Sequence, residues 1–195
     1  MATDPNTLRP RYRLSAADYL RMCETGIIDE RTRVELIDGE LLALEPVGAR
    51  HSTAVARCNG ALGRAMNRRT ITWVQSPIRT DDFSQPRPDL AILELRGDFY
   101  AKAHPTAEDV LLLIEVGEET LAYKRDVKIP HYAAAGIQEV WLIDLGRARI
   151  NRYAEPTPTG FARHDQPDRL DRLAPKALPG TPVDLSGLFG QRFGA

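Results

Sequence analysis

The chain of 195 residues has only two cysteines, Cys23 and Cys58, and no Cys-x-x-Cys pair. That argues against a disulfide framework and a zinc cluster, and it fits a reducing cytoplasm. No stretch approaches the roughly 20 consecutive apolar residues that a membrane helix needs, so no membrane association is expected. The opening segment, MATDPNTLRPRYRLS, holds no apolar core of a secretion signal, and export is not expected either. Net charge is also missing: 26 basic against 27 acidic residues leave -1. There is therefore no global basic field of the kind that coats nucleic acid electrostatically. A local basic strip can still serve an enzyme that works on nucleic acid. Arg64 to Arg69 and Arg147 to Arg152 are locally basic, although solvated surface explains such runs as well. No internal repeat or low-complexity block is present.

The apolar content, 43% of residues, suffices for one packed domain of ordinary size. Residues 1–13 carry Pro5 and Pro10 without periodicity and read as a flexible arm. Residues 14–195 read as a single domain whose last part, after Glu155, is rich in proline and is expected to form short strands and turns. Ser15, with Asp18 three residues on, marks the N-cap of a short helix to about Cys23. Val34–Ile37 and Glu40–Leu44 flank Asp38-Gly39, a strong hairpin signal. From His51 to about Arg69, Val55, Cys58, Leu62 and Met66 recur at steps of three and four, which predicts a helix with one apolar stripe. Thr70–Gln75 and Pro88–Leu93 read as strands.

The rest is organised around Asp109 to Asp144. Val110–Ile114 is apolar and ends on Glu115. A helical segment carrying Lys124, Asp126 and Lys128 closes at Gly136, and Val140–Ile143 then ends on Asp144. Strand, helix, strand in that order predicts a βαβ crossover, with Arg149–Ala154 as a further strand that either stays in the sheet or forms a hairpin with the Trp141 strand. The predicted class is α/β (α+β), a mixed central sheet flanked by helices. Ligands in open α/β sheets bind outside the carboxyl ends of strands, where this chain places charge.

Asp89, Glu115 and Lys128 are the candidates for chemistry. Two carboxylates brought together repel unless a divalent cation lies between them, and Mg²⁺ is typically held by one or two carboxylates with phosphate and water. Such an ion activates water and neutralises charge building on a phosphate. A lysine can orient that water or hold the phosphate. From spacing alone, strand-end carboxylates bonded to loop amides would look the same. Tyr123, Tyr132 and Trp141 have apolar neighbours and read as core. Glu139 and Asp144 read as strand-end and turn groups. Ser76 and Ser84 lack a paired base, so serine nucleophile chemistry has no support.

A resemblance bears on these residues. Glu35-Leu-Ile-Asp-Gly-Glu, His51, Arg87-Pro-Asp-Leu-Ala-Ile-Leu, Ile114-Glu-Val, Leu121-Ala-Tyr, Val127-Lys128 and Tyr132-Ala-Ala-Ala-Gly-Ile-Gln-Glu-Val-Trp-Leu-Ile-Asp144 occur in the order seen in the Uma family. These are restriction-endonuclease-like proteins of the PD-(D/E)XK nuclease superfamily, and the resemblance spans about Leu14 to Tyr153. It implies a restriction-endonuclease-like core and Mg²⁺-dependent (or Mn²⁺-dependent) cleavage of DNA, with a homodimer expected by analogy. Asp89 becomes the acid of the Pro-Asp pair and Glu115 the second acid; both would bind metal. The lysine common two residues after that acid is absent, since Gly117 stands there, and the resemblance implies that Lys128 supplies it. Glu35 resembles an additional acid and His51 a recurrent histidine. Without the resemblance, Glu35 would read as a strand-face charge and His51 equally as a helix-start residue packed on Pro46.

The chain departs from the family pattern at one consequential place. Many relatives read approximately Glu-Val-Ser-Asp-Ser-Ser-Leu-Ala-Tyr-Asp where this chain reads Glu115-Val-Gly-Glu-Glu-Thr-Leu-Ala-Tyr-Lys124. A carboxylate is thus replaced by a cation four residues before Lys128, on the same helix face. Lys124 and His51 are therefore candidate substrate contacts beside the catalytic set Asp89, Glu115, Lys128 and Glu35. Two readings follow from the sequence. One is a cytoplasmic metal-dependent endonuclease, on DNA or another phosphodiester; the other is a catalytically silent nuclease-fold module for self-association or partner binding, which Lys124 and Gly117 would favour.

Overall fold

A capping box opens the first helix in a computed structural model of the chain, which describes residues 11–190 apart from Glu30, Glu45 and Asn67. The Ser15 hydroxyl accepts from the Asp18 backbone N–H, and the Asp18 carboxylate accepts from the Ser15 N–H. Helix α1 (Ala16–Glu24) then packs Tyr19 onto Leu36 of a hairpin, β1 (Val34–Ile37) and β2 (Glu40–Ala43). Asp38 and Gly39 form its turn with φ of +52° and +81°, the left-handed pair that a tight hairpin requires. A Cβ on Gly39 would lie 2.5 Å from the Arg13 Cβ, so space as well as φ demands glycine. Of the expected N-terminal arm, residues 1–10 lie outside the described residues. Arg13 donates to the Asp38 carbonyl at 2.9 Å and covers the Phe83 ring, so this end of the arm rests on the hairpin.

Helix α2 (Ala49–Met66) begins two residues earlier than the periodicity predicts and ends three residues sooner. A six-stranded mixed sheet follows, built from β3 (Thr70–Val74), β4 (Leu90–Glu94), β5 (Val110–Gly117), β6 (Glu139–Asp144), β7 (Arg149–Thr157) and β8 (Gly160–Asp165). Its spatial order is the chain order. Only β5 and β6 are parallel neighbours, with Ile114 beside Trp141, as the predicted crossover requires. β7 returns antiparallel on β6, placing Arg152 opposite Trp141. It remains in the sheet and also forms the expected hairpin.

Alternation along the strands divides the core between the two faces. Leu90, Ile92, Leu112, Ile114, Trp141 and Ile143 pack with α2. The proline-rich segment adds Leu173, Val183, Leu185 and Leu188 to that same face. Ala91, Leu93, Leu113, Val140 and Leu142 face the other way, toward Ile129 and Tyr132. Both faces of the middle strands are therefore covered, which is why β4, β5 and β6 read as nearly continuous apolar runs.

The crossover between β5 and β6 is one helical stretch in three parts: α3 (Leu121–Tyr123), a wide turn (Lys124–Lys128) and α4 (Ile129–Ala134). In the wide turn the Ile129 N–H donates to the Lys124 carbonyl, five residues back, the π-type bond that recurs at functional sites. Pro130 contributes to the interruption, because it has no N–H to give to Asp126 in an ordinary α-helical ladder. Lys124 and Lys128 both turn inward and are buried, whereas Arg125, Asp126 and Val127 face solvent.

Candidate active site

Strand register brings the two acids together. β4 and β5 are antiparallel with Leu90 opposite Ile114, so Asp89, one residue before β4, falls beside Glu115. Glu115 is fully buried and Asp89 is 7% exposed. The Val116 backbone N–H donates to Asp89 Oδ2 at 2.8 Å, fixing that carboxylate against the end of β5. His51, in the first turn of α2, places Nε2 3.0 Å from Asp89 Oδ1. Its Nδ1 is buried without a hydrogen-bond partner among the described residues.

The two lysines of the wide turn enter between these acids. Lys124 Nζ pairs with Asp89 Oδ2, lies 2.8 Å from Glu115 Oε2, and donates to the Val116 carbonyl at 2.8 Å. Its contact with Glu115 Oε2 is an ion pair without hydrogen-bond alignment, and among the described residues that buried oxygen has no aligned donor. Lys128 Nζ lies 2.8 Å from Glu115 Oε1 and 3.1 Å from Glu35 Oε2, and donates to the Arg87 carbonyl at 3.0 Å. Glu35 is carried in by β1. Its Oε2 accepts from the Arg87 N–H at 2.8 Å and its Oε1 from the Tyr123 hydroxyl at 3.0 Å. Tyr132 donates to Glu115 Oε1 at 2.7 Å.

Three carboxylates and two ammoniums thus share one largely dry network. Burying such charges is unfavourable unless each is paired and bonded, and nearly every polar atom in this network is. Burial raises the Asp89 pKa, but the His51 hydrogen bond and the Lys124 charge outweigh it and hold the carboxyl well below its ordinary 3.8. Burial lowers the Lys124 pKa, but Glu115 and Asp89 outweigh it and hold the ammonium above its ordinary 10.5. Burial, followed by the Glu115 charge, pushes the Tyr132 phenol well above its ordinary 10.0. Asp89 and Lys124 are therefore charged, and Tyr132 is neutral, over a wide pH range.

A cleft of about 790 Å³ opens onto this network. Of the six residues singled out from the sequence, Glu35, His51, Asp89, Lys124 and Lys128 line it, and Glu115 lies behind them, joined to both lysines. Arg33 and Arg87 add positive charge to the lining; Glu118 and Glu119 add negative charge, and Glu118 is paired with Arg50. Lys124, expected as a substrate contact, directs its ammonium inward to the acids. Tyr123 and Tyr132, expected as core, each hold a site carboxylate. Their spacing gives a partial signal, since Tyr132 is one helical turn beyond Lys128. The Val116 and Arg87 backbone groups carry no side-chain signal at all. Glu139 and Asp144 do serve strand-end and turn bonding: Glu139 accepts from Trp141 Nε1 and Asp144 from the Arg147 N–H.

Oxygen donors converge at one point here: Asp89 Oδ2, Glu115 Oε2 and the Val116 carbonyl all contact the same ammonium. Carboxylates and a carbonyl are the donor set that Mg²⁺ prefers, and Glu115 Oε2, ion-paired to Lys124, has no aligned hydrogen bond among the described residues. Elsewhere among the described residues, Asp38, Asp81 and His131 bring ligand atoms within 4.8 Å of one another, but both aspartates are exposed and the group lies outside the cleft.

A mixed sheet flanked by helices, with buried acids at adjacent strand ends, defines a restriction-endonuclease-like fold. The family model Uma2, described as "Putative restriction endonuclease", matches residues 16–186, and the chain belongs to that family. The crystal structure of a putative nuclease of DUF820 from Anabaena variabilis ATCC 29413 superposes with a TM-score of 0.69 at 18% identity, covering 90% of this chain and 97% of that one. No curated protein matches the chain in sequence. Among the described residues, no helix is long and apolar enough to cross a membrane.

Proposed function

We propose that this chain is a metal-dependent endonuclease that hydrolyses DNA phosphodiester bonds in the cleft above Asp89 and Glu115. The observation that carries this reading is the convergence of Asp89, Glu115 and the Val116 carbonyl on one point, with the Lys128 ammonium on the far side of Glu115. Asp89, Glu115 and that carbonyl would hold Mg²⁺ or Mn²⁺. The chemistry such an ion supplies is activation of water and neutralisation of charge on the phosphate. Lys128 is fixed by Glu115, Glu35 and the Arg87 carbonyl, so its charge is positioned before any substrate arrives. Its role is to orient the attacking water or the phosphate. Glu35 completes the acidic shell by holding Lys128, and His51 orients Asp89. Arg33 and Arg87 offer two cations in the cleft to the phosphates of a polyanion.

Hydrolysis adds a water oxygen to phosphorus and breaks the bond to one sugar oxygen, which leaves with a proton. Cutting both strands of a two-fold site suits a homodimer, and unpaired Cys23 and Cys58 suit a reducing cytoplasm. The test is cleavage of plasmid DNA in Mg²⁺ or Mn²⁺ by the wild type, Asp89→Asn and Glu115→Gln. Both variants are expected to fold, by circular dichroism, and to lose cleavage. Cleavage retained by both would remove the assignment.

A second reading, a catalytically silent module for self-association or partner binding, draws on the position of Lys124 between the acids. Absence of cleavage in every metal tested, with a stable dimer by light scattering, would favour it.

A further inference from the structure

Lys124 and a divalent cation make the same demand on this site. The ammonium contacts Asp89 Oδ2, Glu115 Oε2 and the Val116 carbonyl, the three oxygens that converge. A cation with Mg–O distances of roughly 2.0–2.1 Å would use those oxygens from the same point. Two positive groups cannot share that point, because each would repel the other and each needs the same lone pairs. We propose that Lys124 is a tethered counter-ion that competes with the divalent metal, so that metal binds only as the Lys124 ammonium leaves for the cleft. The inference rests on the metal-dependent reading above and adds to it the control of metal loading.

The two lysines are built differently in this respect. Lys128 is 2% exposed and is held by groups from β1, β5 and the segment before β4. Both line the cleft, but Lys124 is the more exposed of the two, at 9%. Its flexible four-carbon stem gives the ammonium an outward path, and a phosphate in the cleft is the partner it would meet there. Tethering keeps the competitor at a high effective concentration, so removing it should raise metal affinity without adding any ligand. Substrate phosphate and metal loading would then be linked through one side chain.

The test is calorimetric titration of the full chain with Mn²⁺, comparing wild type, Lys124→Met and Lys124→Gln. Both variants are expected to bind at least tenfold more tightly than wild type, and Asp89→Asn added to Lys124→Met is expected to abolish that binding. Thermal melting gives a second readout. Without metal, Lys124→Met should melt below wild type, since two buried acids lose the cation they share; saturating Mn²⁺ should raise its Tm more than that of the wild type. Lys124→Gln keeps an N–H donor for the Val116 carbonyl and carries the comparison if the methionine variant does not fold. Unchanged affinity in the Lys124 variants, with wild-type binding still dependent on Asp89, would overturn the competition and leave the metal site standing. No Mn²⁺ binding by any of these proteins would overturn the metal-dependent reading itself.

Discussion

Lys128 Nζ lies 2.8 Å from Glu115 Oε1, although the lysine is 13 residues further along the chain. The residue two beyond Glu115, where a strand-borne lysine would stand, is Gly117. A Cβ there would lie 2.9 Å from the Leu121 Cα and 2.8 Å from its Cδ1. The helical crossover folds back so tightly over the end of β5 that no side chain fits at position 117. The ammonium therefore reaches Glu115 from the crossover itself, through the wide turn that aims Lys124 and Lys128 inward.

Gly117→Ala is accordingly expected to destabilise the protein by about 1–3 kcal/mol, the usual consequence of forcing an extra methyl into packed backbone. Urea unfolding at neutral pH measures it. A change in the noise would mean that α3 yields easily and that space does not exclude a lysine there. In the stricter form, Gly117→Lys combined with Lys128→Met should not restore cleavage.

Lys128→Met removes the cation between Glu115 and Glu35, both buried. Breaking a buried ion pair by removing one partner costs about 3–5 kcal/mol, because the stranded charge remains. The double variant Glu35→Gln with Lys128→Met should therefore be more stable than the sum of the two single changes predicts. Chemical denaturation of the four proteins closes the cycle. Strict additivity would show that Glu35 and Lys128 do not interact in solution.

Much of this arrangement was legible in the residues. The Ser15–Asp18 cap, the Asp38-Gly39 turn and the apolar stripe from Val55 to Met66 each have a local cause, and the structure follows them. Asp89, Glu115 and Lys128 stood out by their places at strand ends and on the crossover, Glu35 and His51 by a resemblance, and all five meet in one network. Which cation touches which acid was not legible. Lys124 and Lys128 share a helix face, so periodicity predicts neighbours, yet Glu115 lies between them with one lysine on each oxygen. That depends on the π-type bond at Ile129 and on the register of β4 with β5, and a one-dimensional pattern carries neither. The Val116 carbonyl has no side-chain signature, and an apolar setting hid the second role of Tyr132.

The pH dependence of stability follows from the same network. Asp89 holds its carboxyl below the ordinary 3.8, despite burial, because His51 and Lys124 favour the charged form. Its contribution is present above that value and is lost as pH falls toward the folded one. Lys124 is held above 10.5 by Glu115 and Asp89 against the effect of burial, and Tyr132 is raised above 10.0 by burial and Glu115. Both keep their protons in the folded chain after the unfolded chain has released them, so their contributions fall as pH rises past those ordinary values. Burial holds His104 and His131 below their ordinary 6.5, so both add to the acid limb, and urea midpoints should be flat only from roughly pH 7 to 9 and decline on both sides. Asp89→Asn should flatten part of the acid limb. An acid limb identical to wild type would show that Asp89 is not depressed in the folded state.

Tyr132→Phe isolates the positioning of Glu115. The phenol is fully buried and donates to Glu115 Oε1 at 2.7 Å, an oxygen it shares with Lys128. Phenylalanine keeps the ring against Leu113 and Val140 but removes the donor. A hydrogen bond to a charged group contributes about 1.5–3 kcal/mol, and that loss of stability is expected. If Tyr132 also orients the carboxylate for metal, Mn²⁺ affinity measured by calorimetry should fall as well, with circular dichroism unchanged. A stability loss with unaltered Mn²⁺ affinity would limit the Tyr132 hydroxyl to stabilising the fold and remove it from metal positioning. A fall in affinity shared with Tyr123→Phe, which acts on Glu35 instead, would show that the network responds as a unit rather than through the Glu115 contact.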